Sequence, residues 1–326
     1  MRAVWYDRTG PAGEVLTVGE LPDPEPAAGE VRVRVRAAGV NPADVKRRQG
    51  AGDRVMRDPR VIPGDDGAGV IDRVGPRVPT SWIGRRVWVH SANHGRPFGT
   101  SAEYVAVPAA QAIELPANTS FEAGACLGVP ALTAHRCLFA DGPVAGRTVL
   151  VTGAAGAVGH YAVQLAAHGG ATVIATARTP EQRASALDAG ARHVIDNRAP
   201  GAAEAVLDLV PGGVDRVVDV AFGANLPFTS EVIATGGTIA TYASDAVPEP
   251  ALPFYRLMRK GATIRTTLVF VMPAPALRAA TEHVTRLLED DVLTHPIAAR
   301  HPLAAAADAH RDVEAGHAPG KVLILP

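Results

Sequence analysis

Residues Val149–Gly159 read VLVTGAAGAVG, an apolar strand pattern followed by three glycines spaced three apart. The glycines follow this strand and open a helix, and the helix leads to a second strand. In that setting Gly153 permits a tight turn, Gly156 lets the backbone approach a pyrophosphate, and Gly159 lets the helix pack closely on the strand. The stretch therefore predicts a dinucleotide site, the alternative being a turn that only packs helix on strand. The expected contacts are Ala155, Gly156, Ala157, Val158 and Gly159.

The sequence on either side of this turn shows two textures. From Arg147 onward short strands alternate with helices, down to GATIRTTLVF as a last strand. Such alternation indicates parallel strands joined by right-handed crossovers, which is a doubly wound sheet. Up to about residue 122, by contrast, EVRVRVRAAGV and similar runs alternate at period two and predict a mostly antiparallel β domain. The fold class is therefore α/β, and periodicity alone does not place the closing strand of the chain.

Composition narrows the class of protein. The 326 residues carry a formal net charge of -1, with 47% hydrophobic and 20% charged residues. This balance argues against nucleic acid or an anionic membrane as the main partner, and no apolar run is long enough to span a bilayer. Cys126 and Cys137 are not arranged as a Cys-x-x-Cys pair, so a disulfide framework or a four-cysteine zinc lobe is not expected. Cytoplasm is the expected location.

The end of the second strand decides which dinucleotide the turn would take. An acidic residue there would accept hydrogen bonds from the ribose 2′-hydroxyl and favour NADH. This strand ends instead in Arg178, with Arg183 one turn later, and two cations favour a 2′-phosphate. The alternative is that both arginines are solvated side chains, beside a helix start formed by Thr179, Pro180 and Gln182. The sequence favours NADPH.

With both halves considered, the chain resembles the medium-chain dehydrogenase/reductase superfamily and, within it, the NADPH:quinone oxidoreductases of the zeta-crystallin-like branch. The motifs that carry the resemblance occur in order over nearly the whole chain: MRAV, AAGVNPADVKRRQG, IPGDDGAGVIDRVG, GTSAEYVAVP, LGVPALTAH, VLVTGAAGAVGHYAVQLA, GGTIATYAS and GKVLILP. The resemblance implies a GroES-like catalytic domain over 1–122 completed by 273–326. It implies a Rossmann NADPH-binding domain over 123–272.

Zinc-dependent members of this superfamily hold a catalytic metal on a cysteine, a histidine and a second cysteine. The resemblance places Asn41, Asp65 and Val129 at the corresponding positions of this chain. An open catalytic zinc needs three N, S or O ligands, and a valine side chain supplies none. His90 and His94 lie four apart, but in a stretch that reads as a loop. We therefore expect no metal.

The stretch NPADVKRRQG contains the candidate catalytic residues, Asn41 and Lys46. Asn41 and Asp44 match the family pattern, whereas quinone reductases often have tyrosine where this chain has Lys46. Lysine at this place is similar to the pattern of alkenal and enone reductases, and it could polarise a carbonyl or stabilise an enolate. The alternative is structural: Asn41, Pro42 and Asp44 also form a helix cap, and Lys46 would then lie on the surface.

Further cofactor contacts are implied by the resemblance, and Asn41 is one of them as well as a candidate catalytic residue. Thr133 would lie near the nicotinamide, and the backbone of Phe270 and Val271 would contact its carboxamide. Lys321, in the C-terminal tail, would approach the cofactor. The remaining ones, Phe222, Tyr242 and Ser244, follow the ends of later strands, where Rossmann-type sheets gather ligands. The stretch QGAGDRVMRDPRVIP lacks the tyrosine that often follows its glycine in quinone reductases, which weakens the expectation of a quinone substrate.

The function predicted from the sequence is an NADPH-dependent, zinc-independent reductase that passes hydride to a quinone. An enone or 2-alkenal reductase is the alternative closest to it, and a low-turnover NADPH-binding protein is a further one. Many relatives dimerise through the last strand of the nucleotide-binding domain, so the resemblance also implies a homodimer.

Overall fold

A computed structural model of the chain describes residues 1–51, 56–316 and 319–326. The strands are β1 (Arg2–Trp5), β2 (Thr17–Glu20), β3 (Glu30–Val40), β4 (Asp66–Val74), β5 (Arg86–Val89), β6 (Tyr104–Pro108), β7 (Ala112–Glu114), β8 (Thr148–Val151), β9 (Thr172–Thr176), β10 (His193–Ile195), β11 (Val214–Asp219), β12 (Ile233–Thr241), β13 (Thr263–Thr266), β14 (Ile297–Pro302) and β15 (Lys321–Leu325). The α-helices are α1 (Ala12–Val15), α2 (Pro42–Gln49), α3 (Phe121–Gly124), α4 (Gly128–Phe139), α5 (Ala157–His168), α6 (Pro180–Asp188), α7 (Ala202–Leu209), α8 (Phe222–Val232), α9 (Phe254–Lys260), α10 (Ala274–Glu289) and α11 (Ala306–Ala315). Single 3₁₀ turns lie at Thr80–Trp82, Ala109–Gln111, Val269–Val271 and Leu303–Ala305.

The chain divides into two compact units. Residues Met1–Val129 and Thr281–Pro326 form the mixed-sheet unit, and residues Pro130–Ala280 form the parallel-sheet unit. The second unit is thus inserted in the sequence of the first. The predicted class, an α/β chain with one mostly antiparallel sheet and one parallel sheet, is confirmed.

The parallel-sheet unit contains six strands in the order β10-β9-β8-β11-β12-β13, and every neighbouring pair is parallel. Leu150, Ile174 and Val217 from three central strands are buried in one core cluster. The chain runs outward from β8 to β10 and then returns to the other side of β8. The reversal between β8 and β11 creates the position at which doubly wound sheets take ligands, beyond the carboxyl ends of the strands.

The last strand of this sheet is shorter than GATIRTTLVF predicts. Pairing with β12 covers Thr263 to Thr266, and the N–H of Thr267 donates to the carbonyl of Thr241 at 2.7 Å. The chain then turns into the 3₁₀ turn Val269–Val271. Leu268 and Val271 are exposed, so their apolar character reflects a surface rather than a continued buried strand.

The mixed-sheet unit is built on β3, which pairs with β4, β6 and β15, all antiparallel. Val31, Val33 and Val35 of β3 are buried, as the period-two pattern predicts. Arg32 departs from the expected solvent-facing side: it is buried because its guanidinium pairs with Asp72 at 2.8 Å and stacks on an aromatic ring.

The closing strand β15 pairs antiparallel with the end of β3, with Val322 opposite Val40 and Ile324 opposite Ala38. The tail therefore joins the sheet of the first third of the chain, as the resemblance implies. This pairing brings Lys321, the first residue of β15, beside the residues that follow β3. Among the described residues, no helix combines the length and apolar character that crossing a bilayer requires.

Candidate functional site

The glycine turn follows β8 and opens α5, as the sequence predicts. Gly153 has φ +62°, a conformation that L side chains rarely adopt, and a Cβ at Gly159 would overlap the carbonyl oxygen of Gly153. The fold itself therefore requires glycine at both positions. A Cβ at Gly156 would meet only that same oxygen, at 3.3 Å, which a small shift relieves. The absence of a side chain at Gly156 is thus only weakly explained by packing.

Gly156 is also the N-cap residue of α5, and it has no side chain to accept a hydrogen bond from the first turn. A twelve-residue helix with an uncapped first turn presents N–H groups and a positive dipole end to an anion. The described residues thus fit a dinucleotide pyrophosphate at Ala155 to Gly159.

Two threonines hold the turn in place, and sequence reasoning missed both. The N–H of Gly153 donates to Thr176 Oγ1 at 3.0 Å, so this N–H group already has a partner within the protein. Thr152 Oγ1 donates to Asp219 Oδ1 at 2.7 Å and accepts from the N–H of Val220 at 3.0 Å. Thr176 is the last residue of β9, and Thr152 directly follows β8. Their place at the carboxyl ends of neighbouring strands is the signal that could have identified them.

The two arginines expected at the 2′-phosphate lie beyond β9. The backbone N–H of Arg178 donates to Gln182 Oε1 at 3.0 Å, and Thr179 Oγ1 accepts from the N–H of Gln182 at 3.2 Å. The helix start predicted for α6 is therefore present. Arg178 is exposed, and Arg183 donates from Nη2 to the carbonyl of Val194 at 2.7 Å. The helix cap accounts for the threonine but gives the Arg178 guanidinium no function.

The structure brings Phe222, Tyr242 and Ser244 together at the ends of β11 and β12. The N–H of Phe222 donates to the carbonyl of Ala243 at 2.9 Å, and Ser244 Oγ accepts from the N–H of Gly223 at 2.9 Å. Burial, with smaller contributions from neighbouring acidic groups, raises the pKa of Tyr242 well above its usual value. The hydroxyl of Tyr242 therefore stays protonated at neutral pH.

The other expected contacts in the parallel-sheet unit lie on different elements. Thr133 is buried in α4, and Phe270 and Val271 lie on the 3₁₀ turn after β13, with Val271 well exposed.

Asn41 and Lys321 meet in the mixed-sheet unit, although 280 residues separate them. The Lys321 ammonium donates to Asn41 Oδ1 and, at 2.8 Å, to Asp66 Oδ2. Asn41 Nδ2 donates to the same Asp66 oxygen at 2.8 Å, and the N–H of Val129 donates to Asp66 Oδ1 at 2.8 Å. Asn41, Asp66 and Lys321 are all buried. We call these three residues the Asn41–Asp66–Lys321 cluster.

Asp44 completes the start of α2. Its Oδ2 accepts from the N–H of Asn41 at 2.9 Å and its Oδ1 from the N–H of Gly64 at 3.2 Å. Burial raises the pKa of Asp44, and the Arg47 charge opposes that rise. The helix cap expected from Asn41, Pro42 and Asp44 is therefore present, so Asn41 contributes to structure whatever else it does. Lys46 follows on α2 and is partly buried.

Asp65 lies beside this cluster and has partners of its own. Its Oδ1 accepts from the N–H of Asn93 at 3.1 Å, and its Oδ2 accepts from Arg47 Nη2 at 3.3 Å. Burial raises the pKa of Asp65 to about 8, with the negative charge of Asp44 adding to the rise. Sequence reasoning gave Arg47 no function, although the run KRR and the doublet DD were the available signals.

The positions that correspond to zinc ligands do not fit a zinc ion. Asn41 Oδ1 accepts from an ammonium group, Asp65 pairs with a guanidinium, and Val129 contributes only a backbone N–H. A zinc ion needs lone pairs from three ligand atoms; here the Asn41 and Asp65 oxygens already accept from cations, and Val129 has no side-chain lone pair to offer. Among residues 1–51, 56–316 and 319–326, no three His, Cys, Asp or Glu side chains are grouped so as to hold a metal. His90 lies in a loop, as expected, and burial lowers its pKa to about 4.

The stretch QGAGDRVMRDPRVIP is described only in part. Residues 52–55 lie outside the described residues, so the structure does not test what the missing tyrosine means for a quinone substrate.

Comparison with known proteins agrees with this architecture. The family model "Alcohol dehydrogenase GroES-like domain" matches residues 27–117, and "Zinc-binding dehydrogenase" matches residues 157–286. The human quinone oxidoreductase is 31% identical, over 100% of this chain and 98% of its own. A chloroplastic quinone-oxidoreductase homolog from Spinacia oleracea is 32% identical, with the same coverage.

Among solved structures, a mycobacterial protein complexed with NADPH superimposes with a TM-score of 0.88 at 30% identity, covering 100% of both chains. The two domain matches, the full-length identities and the superposition agree with the fold described above. The chain belongs to the medium-chain dehydrogenase/reductase superfamily and is an oxidoreductase of the quinone oxidoreductase family within it.

Proposed function

We propose that this chain is an NADPH-dependent reductase that passes hydride to a quinone without zinc. The observation that carries the proposal is the Asn41–Asp66–Lys321 cluster. At Asn41, one of the positions that correspond to zinc ligands in zinc-dependent relatives, the side-chain oxygen of this chain accepts from its own Lys321 ammonium group, which Asp66 also holds. Replacing the zinc ion by an ammonium group disfavours alcohol oxidation most, because that reaction needs a Lewis acid to stabilise the alkoxide. Quinones need less help, because the charge they acquire is delocalised.

The choice of NADPH rests on the two ends of the cofactor site. Gly156 at the uncapped start of α5 suits the pyrophosphate, and Arg178 with Arg183 after β9 suits a 2′-phosphate. A mycobacterial protein that superimposes over 100% of both chains has been solved with NADPH. When bound, this cofactor supplies a hydride from nicotinamide C4. The chain supplies binding and orientation, and we propose Thr133, Phe222, Tyr242, Ser244, Phe270 and Val271 as further contacts.

In the mixed-sheet unit we propose contacts to the reacting groups. Asn41 is held by Asp66 and Lys321, so its amide is fixed in orientation, and Lys46 lies just over one turn further along α2. We propose that Lys321 contacts the cofactor and that it also positions Asn41, to whose Oδ1 its ammonium group donates. The catalytic domain is proposed to comprise 1–122 with 273–326, and the nucleotide domain 123–272.

The test is a panel of acceptors. Purified protein, dialysed against a chelator, is mixed with NADPH or NADH and with benzoquinones, naphthoquinones, cyclic enones or 2-alkenals, and nicotinamide absorbance is followed. The proposal expects oxidation of NADPH by quinones and a clear preference for NADPH over NADH. NADPH oxidation by no acceptor, despite measurable binding, would instead make this a low-turnover binding protein.

An enone or 2-alkenal reductase is the second candidate, and Lys46 is the residue that favours it. A lysine at this place matches the pattern of such reductases, and an ammonium group can stabilise an enolate. Activity restricted to enones in the same panel would select this candidate over the quinone reductase.

A further inference from the structure

Arg47, on the last turn of α2, has a guanidinium group fixed by two buried partners. Its Nη2 donates to Asp65 Oδ2 at 3.3 Å, and its Nη1 donates to Asn93 Oδ1. Asp65 is fully buried and Asn93 is 3% exposed. Asn93 is itself fixed, because its Nδ2 donates to the carbonyl of Arg96 at 2.7 Å and its N–H donates to Asp65. The orientation of the guanidinium is therefore set by the fold.

The guanidinium is accessible although its partners are not. The Arg47 side chain is 26% exposed, whereas that of Asp65 is 0% exposed. A guanidinium has five N–H donors, and among residues 1–51, 56–316 and 319–326 the partners of Arg47 accept two. The remaining donors are available to a ligand. An anchored cation with free donors differs from an ordinary surface arginine, which pays side-chain entropy to bind.

Arg47 also lies next to the groups already proposed to act on substrate. Its anchor Asp65 adjoins Asp66, which holds Asn41, and Arg47 itself follows Lys46 on α2. Burial alone would lower the pKa of Arg47, but Asp65 and Asp44 raise it above its usual value. Arg47 therefore stays charged throughout the working pH range and donates hydrogen bonds without giving up a proton.

Hydride transfer to a quinone creates the charge that such a group stabilises. The acceptor gains a hydride, which is two electrons and one proton, and becomes a hydroquinone monoanion while NADPH becomes NADP⁺. The monoanion then takes one proton from water to give the hydroquinone. Fixed donors directed at a developing oxyanion are among the largest single contributions to catalysis.

We propose that Arg47 binds the carbonyl oxygen of the acceptor and stabilises the oxyanion formed there by hydride transfer. This inference rests on the proposed reductase function. It assigns to a guanidinium the electrostatic task that the sequence had suggested for Lys46. Arg47 supplies the positive charge, Asp65 and Asn93 fix the orientation of its guanidinium, and water supplies the final proton.

The test compares Arg47→Gln with Lys46→Gln, and with Arg36→Gln as a control for loss of one exposed positive charge on β3. For each variant, kcat and KM are measured with a series of quinones whose hydroquinones differ in acidity, together with the NADPH dissociation constant. We expect Arg47→Gln to lower kcat/KM by about 100-fold, the loss seen when one oxyanion donor is removed. The loss should grow as the hydroquinone becomes less acidic, while NADPH binding changes less than about twofold.

A merely structural Arg47 would lower the melting temperature and affect all quinones equally. Equal kcat/KM for Arg47→Gln and wild type would overturn the proposal, as would an acidity-dependent loss in Lys46→Gln alone. If Arg47→Gln does not fold, Arg47→Lys keeps the charge next to Asp65 but removes the planar fork, and an intermediate loss of about tenfold is expected. Full activity in Arg47→Lys across the series would then count against the proposal. Wild-type protein without turnover on any acceptor would reject the reductase function itself, and this inference with it.

Discussion

At the scale of single residues, glycine occurs at the three positions of the turn for different physical reasons. Gly159 lies against the carbonyl of Gly153, and Gly153 adopts a positive φ, so both belong to the fold. A Cβ at Gly156 would have only one close neighbour, at 3.3 Å, so packing alone does not require glycine there. The glycines of this motif thus separate into two that the fold requires and one, Gly156, that we propose as a binding position.

Alanine substitution should separate these two kinds of glycine. Gly156→Ala should fold with a stability loss below about 1 kcal/mol, yet weaken NADPH binding at least about tenfold, because its methyl group occupies the approach of the pyrophosphate. Gly159→Ala should lose about 1–3 kcal/mol through overlap with backbone. Urea unfolding and NADPH titration measure both effects. Unchanged NADPH affinity in Gly156→Ala would show that no pyrophosphate lies there.

Arg178 should decide coenzyme preference. Arg178→Ala removes a charge proposed to bind the 2′-phosphate, so KM for NADPH should rise about 10- to 100-fold while KM for NADH changes less than about twofold. Arg192→Ala is the matched control, because Arg192 is an exposed arginine at the opposite, amino end of β10. Equal effects of the two substitutions would indicate general electrostatics rather than a phosphate site.

Asp65 should make stability depend on pH. Its folded pKa is raised to about 8 by burial, whereas an unfolded aspartate titrates near about 4. Between these values the folded state binds a proton that the unfolded state has lost, so the contribution of Asp65 falls as pH rises from about 4 to about 8 and then levels. The difference in unfolding free energy between wild type and Asp65→Asn should therefore decline from pH 5 to pH 8. A constant difference over that range would show that Asp65 is ionised in the folded state.

The residue-scale features that the sequence could predict were local ones. The glycine turn, the capping residues of α2 and α6 and the loop containing His90 all follow from residues a few positions apart. The pairing of Lys321 with Asp66 and the placement of Arg47 on Asp65 depend on which strands become neighbours. Periodicity does not encode those contacts, so they were found only in the structure.

At the scale of elements, β15 joins the two ends of the chain. Its pairing with β3 places Lys321 beside Asn41 and Asp66, so a tail strand completes a cluster begun in the first third of the sequence. The sequence predicted a closing strand but could not place it, because the four apolar residues Val322–Leu325 specify burial without specifying a neighbouring strand. At β13 the sequence predicted too long a strand, because the exposed apolar residues after Thr266 continue the strand-like pattern.

Lys321→Met should destabilise the mixed-sheet unit. Removing one member of a buried ion pair typically costs about 3–5 kcal/mol, because the other charge stays buried without compensation. Asp66→Asn in the Lys321→Met background should restore part of that loss, since the uncompensated charge is then gone. Urea unfolding of both single variants and the double variant gives the coupling. Simple additivity of the two single effects would mean that the ammonium and carboxylate do not interact.

At the scale of the whole molecule, the sequence predicted the fold class and the family, because strand–helix alternation and motif order extend over the whole chain. The assembly state depends on surfaces instead. β13 is the last strand of the parallel sheet, and the exposed apolar side chains of the same unit near it in sequence are Leu252, Phe254, Tyr255, Met258, Leu268 and Val271. An open strand edge with apolar neighbours favours pairing with a second copy.

We therefore expect a homodimer in which this surface, the edge of β13 with its apolar neighbours, forms the interface. Leu268→Glu or Tyr255→Glu should shift wild-type dimer to monomer in sedimentation velocity, because each would bury an unpaired carboxylate in the interface. Ile83→Glu is the control, since Ile83 is an apolar residue of the mixed-sheet unit that is exposed to nearly the same extent as Leu268. A monomeric wild type, or dissociation caused by Ile83→Glu alone, would contradict this interface.

The central claim is metal-independent hydride transfer from NADPH to a conjugated carbonyl acceptor. Its most direct test is the rate of naphthoquinone reduction by chelator-dialysed protein of measured metal content, with NADPH and with NADPH deuterated at the transferred C4 position. The account predicts turnover that persists without zinc and slows with the deuterated coenzyme. Activity that disappears on chelation and returns with added zinc would contradict it.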